Sequence, residues 1–175
     1  MRQVALIRGI NVGRAKRIAM SDLRSLFEEL GYAEVRTVLN SGNVLFTVLA
    51  GVARPTAETI EDGMAARLRV SCRITLLSAR EFADVVAENP LLPVADNPSR
   101  LLVSFLRDTK ALKCLDPLVK QDWTPEALAL GKRVAYLWCP EGLLASPLAE
   151  AVTAALGDAV TTRNWATVRK IHAHL

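Results

Sequence analysis

A glycine-containing segment near the amino terminus carries the residue types best suited to binding an anion. Five basic side chains lie between residues 2 and 17, before the first acidic residue at Asp22. Glycines adopt backbone conformations closed to other residues and can present backbone N–H groups. A helix N-terminus directly after the segment would add a positive dipole end. The residues predicted to bind a phosphate or carboxylate here are Arg8, Gly9, Asn11, Gly13 and Arg14.

The spacing of these glycines matches no established phosphate-binding motif. Gly9 and Gly13 fit neither the G-x-G-x-x-G pattern nor a Walker A loop, because no Gly-Lys-Ser/Thr follows them. A strand-to-helix connection made of glycine turns and solvated arginines explains the same residues. Both interpretations, an anion site and a plain connection, therefore stay open.

Two further polar segments could orient a ligand. Asn40-Ser41-Gly42-Asn43 lies between two β-branched runs and predicts a hairpin. Turn chemistry alone accounts for its asparagines and glycine, but Ser41, Gly42 and Asn43 could also hydrogen-bond a ligand. Near the carboxyl terminus, Arg163, Asn164 and Trp165 follow a predicted strand. Either they cap a helix and fill the core, or Arg163 and Asn164 meet the Arg8 segment across a domain interface.

Other reaction chemistries find little support in the sequence. The histidines, His172 and His174, both lie at the carboxyl terminus, so a Ser-His-Asp triad and a metal site are not predicted. The cysteines, Cys72, Cys114 and Cys139, form no C-x-x-C pair. No cofactor is predicted, and whether the chain is an enzyme stays open.

Composition favours a cytoplasmic protein with an aliphatic core. Hydrophobic residues make up 51% of the 175 residues and aromatic residues only 5%, so disorder is not expected. The amino-terminal apolar run extends only from Val4 to Ile7 before Arg8 interrupts it, which is too short for a signal peptide. No uncharged run approaches the roughly 18 residues of a membrane-spanning helix, so no membrane partner is expected. The oligomeric state stays open.

Hydrophobic periodicity predicts a β-α-β-β-α-β order in the first half of the chain. The predicted strands are 3–7, 34–39, 44–48 and 72–77. The predicted helices are one capped by Ser21 and ending at Leu30, and one from Thr56 to about Arg69. A capping box at Ser78 and Glu81 then starts a linking helix that ends before Asn89.

The second half of the chain is predicted to repeat this order after a proline-rich stretch, 90–98. Arg100–Arg107 predicts a strand, and Asp108 or Thr109 caps a short helix that Pro117 ends. Glu126–Trp138 fits either a helix or a hairpin. Another helix, a strand and a carboxyl-terminal helix follow. We therefore predict an α+β fold with three segments: a ferredoxin-like unit at 1–80, a linking helix and linker at 81–99, and a second ferredoxin-like unit with the terminal helix at 100–175.

Several of these motifs together resemble a bacterial family, the domain of unknown function 1697. The motifs are Arg8 to Gly13, Met20, Ser41 to Val44, Asn89-Pro90 and Thr161 to Trp165. The resemblance covers essentially the whole chain. It implies two ferredoxin-like α/β-plait units in tandem and favours the hairpin at Glu126–Trp138. It implies no activity.

The sequence departs from the family pattern at three positions. Arg14 stands where a second glycine is common, Asn40 where glutamine is usual, and Pro147 in place of the lysine of a Ser-Lys-Leu motif. An anion site that used this lysine would be weakened here, although Arg14 could compensate.

Three classes of function remain. We favour binding of a small phosphorylated or carboxylated ligand. RNA backbone binding and a plain interaction or structural module are the alternatives. The net charge of +4 is unevenly distributed: residues 1–80 hold 12 basic and 7 acidic side chains, whereas residues 81–175 hold 10 and 11. The basic character therefore belongs to the first half, and is densest around the glycine segment.

Overall fold

A computed structural model describes residues 1–11 and 17–175, which form eight β-strands and six α-helices. The strands are β1 (Arg2–Arg8), β2 (Ala33–Val38), β3 (Asn43–Thr47), β4 (Arg73–Ser78), β5 (Leu101–Leu106), β6 (Ala127–Leu130), β7 (Val134–Trp138) and β8 (Val160–Asn164). The helices are α1 (Met20–Glu29), α2 (Ala57–Leu68), α3 (Ala79–Ala87), α4 (Asp116–Val119), α5 (Pro147–Leu156) and α6 (Trp165–His172). Three 3-10 helices lie at Thr109–Leu115, Leu143–Ala145 and Gly157–Ala159.

The strands form two antiparallel sheets of four strands each. Their orders are β2-β3-β1-β4 and β6-β7-β5-β8. The chain divides into two compact units, Met1–Ala83 with Ile171–Leu175 and Asp84–Lys170. The mixed α/β composition agrees with the sequence analysis.

The first unit is built around β1, whose residues Val4 to Ile7 are buried. Apolar side chains of α1 and α2 cover one face of this sheet, where Phe27 and Met64 pack in the same cluster as Phe46 of β3. Phe27 and Phe46 meet edge to face with ring centroids 5.1 Å apart. The helical spacing of leucines and phenylalanine in α1 thus gives the apolar stripe that the sheet needs.

The second unit has an aliphatic core against α5. Leu148 and Val152 of α5 pack with Leu102 of β5 and Leu137 of β7. Tyr136 lies on β7 with 1% of its surface exposed, and its hydroxyl donates to the Val85 backbone oxygen at 2.8 Å. A phenol buried this deeply needs such an acceptor.

Local signals placed several elements correctly. Ser78 and Glu81 form the reciprocal capping box at the start of α3, with the Ser78 N–H donating to Glu81 Oε2 at 2.7 Å and the Glu81 N–H to Ser78 Oγ at 3.2 Å. Thr56 caps α2 by accepting from the Thr59 N–H. The second hairpin, predicted by family resemblance, is confirmed by the pairing of β6 with β7.

Two predicted helix ends are wrong. Ser21 is not the cap of α1, because the helix begins at Met20 and Ala19 is its N-cap residue. Pro117 does not end a helix: it lies at the first positions of α4, where its missing N–H costs nothing. The last strand includes Arg163 and Asn164, which were predicted from the sequence to follow it.

Candidate functional site

The predicted anion-binding segment begins where β1 ends. Arg8 is the last residue of β1 and lies opposite Arg73 of β4 in the antiparallel register. Gly9 follows with φ +91°, so the conformational freedom of glycine is used here. Gly13 and Arg14 lie outside the described residues.

Asn11 ties the start of this connection to its end and to the neighbouring hairpin. Its Nδ2 donates to the backbone oxygens of Ile18 (3.1 Å) and Asn40 (3.0 Å). Its Oδ1 accepts from the Ile18 N–H at 2.7 Å. Both amide hydrogens and one acceptor site are thereby used within the protein. Asn11 holds residues 11, 18 and 40 together, and its φ of +54° is one that asparagine tolerates better than most residues.

The polar groups of the hairpin turn between β2 and β3 are likewise hydrogen-bonded within the protein. Asn43 is fully buried, and its Nδ2 donates to the Val38 oxygen at 2.9 Å and to Ser41 Oγ at 3.0 Å. Gly42 accepts from the Ile7 N–H at 2.8 Å through its carbonyl oxygen. These contacts give Gly42 and Asn43 structural roles in fixing the turn on β1. Their predicted roles in ligand binding stay predictions.

A cavity of about 450 Å³ opens beside this turn, at the start of α1. Its lining residues are Asn11, Arg17, Ile18, Ala19, Met20 and Asn40. Arg17 and the Asn40 side chain are exposed, and neither makes a side-chain hydrogen bond with the described residues. From the sequence, Asn40 was included in the candidate turn Asn40–Asn43 without being named among the ligand-binding residues, and Arg17 was counted only as one of five basic residues near the glycine segment.

The α1 N-terminus at this cavity lacks a side-chain cap. Ala19, its N-cap residue, has no side-chain oxygen to offer, and no side chain of residues 1–11 and 17–175 accepts in its place. The first N–H groups of a helix have no partner within the helix. They carry the positive end of the helix dipole. Asp22 in the first turn offsets part of this positive potential.

The third predicted segment lies in the second unit. Arg163 Nη1 donates to Thr161 Oγ1 at 3.1 Å and to the Thr162 oxygen at 2.9 Å. Burial lowers the pKa of Arg163 to about 10, because its charged form loses hydration. Asn164 Oδ1 accepts from the Thr167 N–H at 2.9 Å and so caps α6, while Trp165 is buried. The helix-cap interpretation accounts for Asn164, and the core interpretation for Trp165.

The start of α5, where Pro147 replaces the lysine of the family pattern, already holds a carboxylate. Glu126 Oε2 accepts from the Leu148 N–H at 3.0 Å, and Ser146 Oγ accepts from the Ala149 N–H at 2.9 Å. Two of the helix N-terminal donors are therefore satisfied by the protein itself. An external anion would have to compete with Glu126 here.

Among residues 1–11 and 17–175, no three histidine, cysteine or acidic side chains cluster as a metal site would require. Cys72 and Cys139 are buried, whereas Cys114 is exposed. Over the same residues, no helix combines the length and the apolar character needed to cross a membrane.

The architecture is that of an α/β protein with two four-stranded antiparallel sheets. The chain belongs to the family described as protein of unknown function DUF1697, whose model matches residues 1–136. The conserved bacterial protein SP0830 from Streptococcus pneumoniae has a similar fold, with a TM-score of 0.71 and 23% sequence identity over 98% of this chain and 97% of that one. Comparison with curated proteins finds no match.

Proposed function

We propose that this protein binds a small anionic ligand, phosphorylated or carboxylated, in the cavity at the start of α1. The observation that carries the proposal is an uncapped helix N-terminus at a cavity that Arg17 and Asn40 also line. A guanidinium group can hold a phosphate or carboxylate through two parallel hydrogen bonds. The Asn40 amide supplies a neutral donor that can select among ligands.

The dimensions and the chemistry of the cavity suit a small molecule. Its volume of about 450 Å³ lies in the usual range for such sites. Ile18, Ala19 and Met20 supply the apolar part of its lining. Asn11 contributes by position, since it holds the residues around the cavity together through its three hydrogen bonds.

Isothermal titration calorimetry with inorganic phosphate, a sugar phosphate and a dicarboxylate tests this proposal. Arg17→Ala and Asn40→Ala should each weaken binding by about tenfold, because a hydrogen bond to a charged group contributes roughly 1.5–3 kcal/mol. Asn40→Ala keeps the backbone oxygen that accepts from Asn11. Arg24→Ala, an exposed arginine on α1 outside the cavity lining, is the matched control.

Equal weakening by Arg17→Ala and Arg24→Ala would indicate attraction by overall charge and contradict the assigned site. The absence of heat with every ligand class would leave a structural or interaction module as the better interpretation. The ligand roles predicted for Arg8 and Arg163 are tested by the same titration. Unchanged affinity in Arg8→Ala or Arg163→Ala would remove the role predicted for that arginine.

No observation on the described residues favours RNA binding as a second function. Phe46 is the one aromatic residue of β3, and it is fully buried, so it cannot stack on a base. Backbone contacts by arginines would make the affinity fall steeply with salt. A gel shift at low salt with unstructured RNA would therefore count against the small-ligand assignment.

We further propose that each sheet with its helices is a ferredoxin-like unit and that the chain is a tandem duplication. The first four strands and the last four follow the same order within their sheets. In each half, helices follow the first and third strands, as in a β-α-β-β-α-β unit. We keep 1–80, 81–99 and 100–175 as the proposed boundaries; the first lies close to the division at Ala83 and Asp84, whereas Ile171–Leu175 group with the first unit.

A further inference from the structure

The second unit carries an apolar groove that the proposed function does not use. The 3-10 turn Leu143–Ala145 and the exposed side of α5 border an open groove of about 660 Å³. Most of its lining is apolar or small, and its polar members are Ser146, Glu150 and Thr153. The Ser146 hydroxyl is already engaged: it accepts from the Ala149 N–H and donates to Cys139 Sγ. Glu150 is thus the charged side chain that the groove offers to a partner.

Two leucines beside each other form the edge of this groove. Leu144 is fully exposed and Leu143 is 51% exposed. The turn that carries them is fixed by backbone hydrogen bonds, from the Ala145 N–H to the Gly142 oxygen and from the Ser146 N–H to the Leu143 oxygen. A single exposed leucine needs no explanation. Two adjacent ones on an ordered turn beside an apolar groove are typical of an interaction site.

The segment that carries the groove has acidic side chains and no basic ones, although the guanidinium of Arg100, the residue before β5, donates to the Pro140 oxygen beside Glu141. Residues 134–162 contain three acidic side chains, Glu141, Glu150 and Asp158, and no basic one. Glu150 lines the groove, and Glu141 lies two residues before the first residue of the leucine turn. Both carboxylates are exposed, and neither forms an ion pair with the described residues. A partner that binds in this groove would contact apolar side chains together with the negative charge of Glu150.

We propose that this groove docks a cationic amphipathic segment of another protein, one with leucine-sized apolar side chains and lysine or arginine beside them. The apolar side chains of the segment would cover Leu143 and Leu144 and fill the groove, as in recognition of an amphipathic helix by a hydrophobic groove. A basic side chain would pair with Glu150. The negative charge favours this occupant over an acidic segment, and over a phosphorylated ligand.

Fluorescence anisotropy with a labelled amphipathic leucine–lysine peptide tests the proposal on the full chain. A leucine–glutamate peptide of equal length is the probe control and should not bind. Leu144→Ser should weaken binding by about tenfold, because a leucine buried on docking loses its apolar contact. Glu150→Gln should weaken it by about two- to fivefold, as expected for one exposed ion pair. The effect of Glu150→Gln should shrink at high salt.

Matched variants elsewhere distinguish binding in this groove from nonspecific binding to other exposed leucines and glutamates. Leu92→Ser removes another exposed leucine, and Glu58→Gln another exposed glutamate on a helix; both should leave the affinity unchanged. Equal losses in Leu92→Ser and Leu144→Ser, or an affinity that Leu144→Ser does not change, would overturn the proposal. So would sedimentation that shows a dimer of this chain dissociated by Leu144→Ser, since the groove would then be occupied by a second copy.

Discussion

Gly42 shows how one residue can be required for two physical reasons at once. Its φ is +77°, which costs a residue with a Cβ roughly 1–2 kcal/mol. A Cβ at this position would also lie 2.9 Å from Ile10 Cδ1 and 3.0 Å from Ile7 Cβ. Overpacking of this kind adds about 1–3 kcal/mol. We therefore expect Gly42→Ala to lower the free energy of unfolding by about 2–5 kcal/mol, measured by urea denaturation.

Gly51 is the matched control for this substitution. It has nearly the same backbone conformation, with φ +84°, but nothing lies within 4 Å of a Cβ added to it. Gly51→Ala should therefore cost only the conformational part, about 1–2 kcal/mol. Equal losses in the two variants would mean that the contact of the turn with Ile7 and Ile10 contributes nothing to stability.

Residue types at the candidate site could be predicted, but their partners could not. The sequence pointed to Asn11 and Asn43 as polar groups with a capacity to bind a ligand. In the structure both side chains hydrogen-bond backbone carbonyls, those of Ile18 and Asn40 for Asn11 and that of Val38 for Asn43. An amide that closes a loop and one that binds a ligand have the same chemistry. Only the position of the surrounding backbone separates the two roles.

At the scale of elements, removal of a buried helix cap should lower the free energy of unfolding more than removal of an exposed one. The buried cap is at the start of α5. Ser146 is 5% exposed, and its Oγ accepts from the Ala149 N–H. In Ser146→Ala this N–H stays buried, and no water can reach it to replace the serine Oγ as its acceptor. A buried donor left unsatisfied costs about 1–3 kcal/mol. We expect this loss in the free energy of unfolding, measured by chemical denaturation.

Thr56→Ala in α2 is the control, because this cap is exposed. Water can reach the Thr59 N–H after the substitution, so we expect a smaller loss of about 0.5–1 kcal/mol. A Thr56→Ala loss as large as that of Ser146→Ala would show that burial of the cap does not set its contribution.

Elements whose signals are local could be predicted well. The capping box of Ser78 with Glu81 and the Thr56 cap involve residues three apart, and both occur as expected. The start of α1 could not be found this way, because Ser21 is a better cap than Ala19 by residue type. Tertiary packing of Leu23 and Phe27 on the sheet starts this helix two residues earlier than its local signal. The strand order within each sheet likewise depends on contacts distant in sequence.

At the scale of the whole molecule, two groups of the second unit make stability depend on alkaline pH in opposite directions. Burial raises the pKa of Tyr136 to about 12, so between about pH 10 and 12 the unfolded chain releases a proton that the folded chain keeps. This contribution to stability is complete below about pH 10 and is lost as the pH rises. Arg163, whose pKa burial lowers to about 10, acts with the opposite sign in the same range. The wild-type curve alone therefore cannot isolate Tyr136.

Comparison with Tyr136→Phe isolates the tyrosine. At neutral pH the variant should be less stable by about 1 kcal/mol, because the hydrogen bond to the Val85 oxygen is lost. Above about pH 10 the wild type should lose this advantage at up to about 1.4 kcal/mol per pH unit relative to the variant. Urea denaturation at a series of pH values measures the difference. Since the chain has two tyrosines, absorbance titration in a Tyr32→Phe background reports the pKa of Tyr136 alone. A constant difference between the two proteins across this range would contradict the raised pKa.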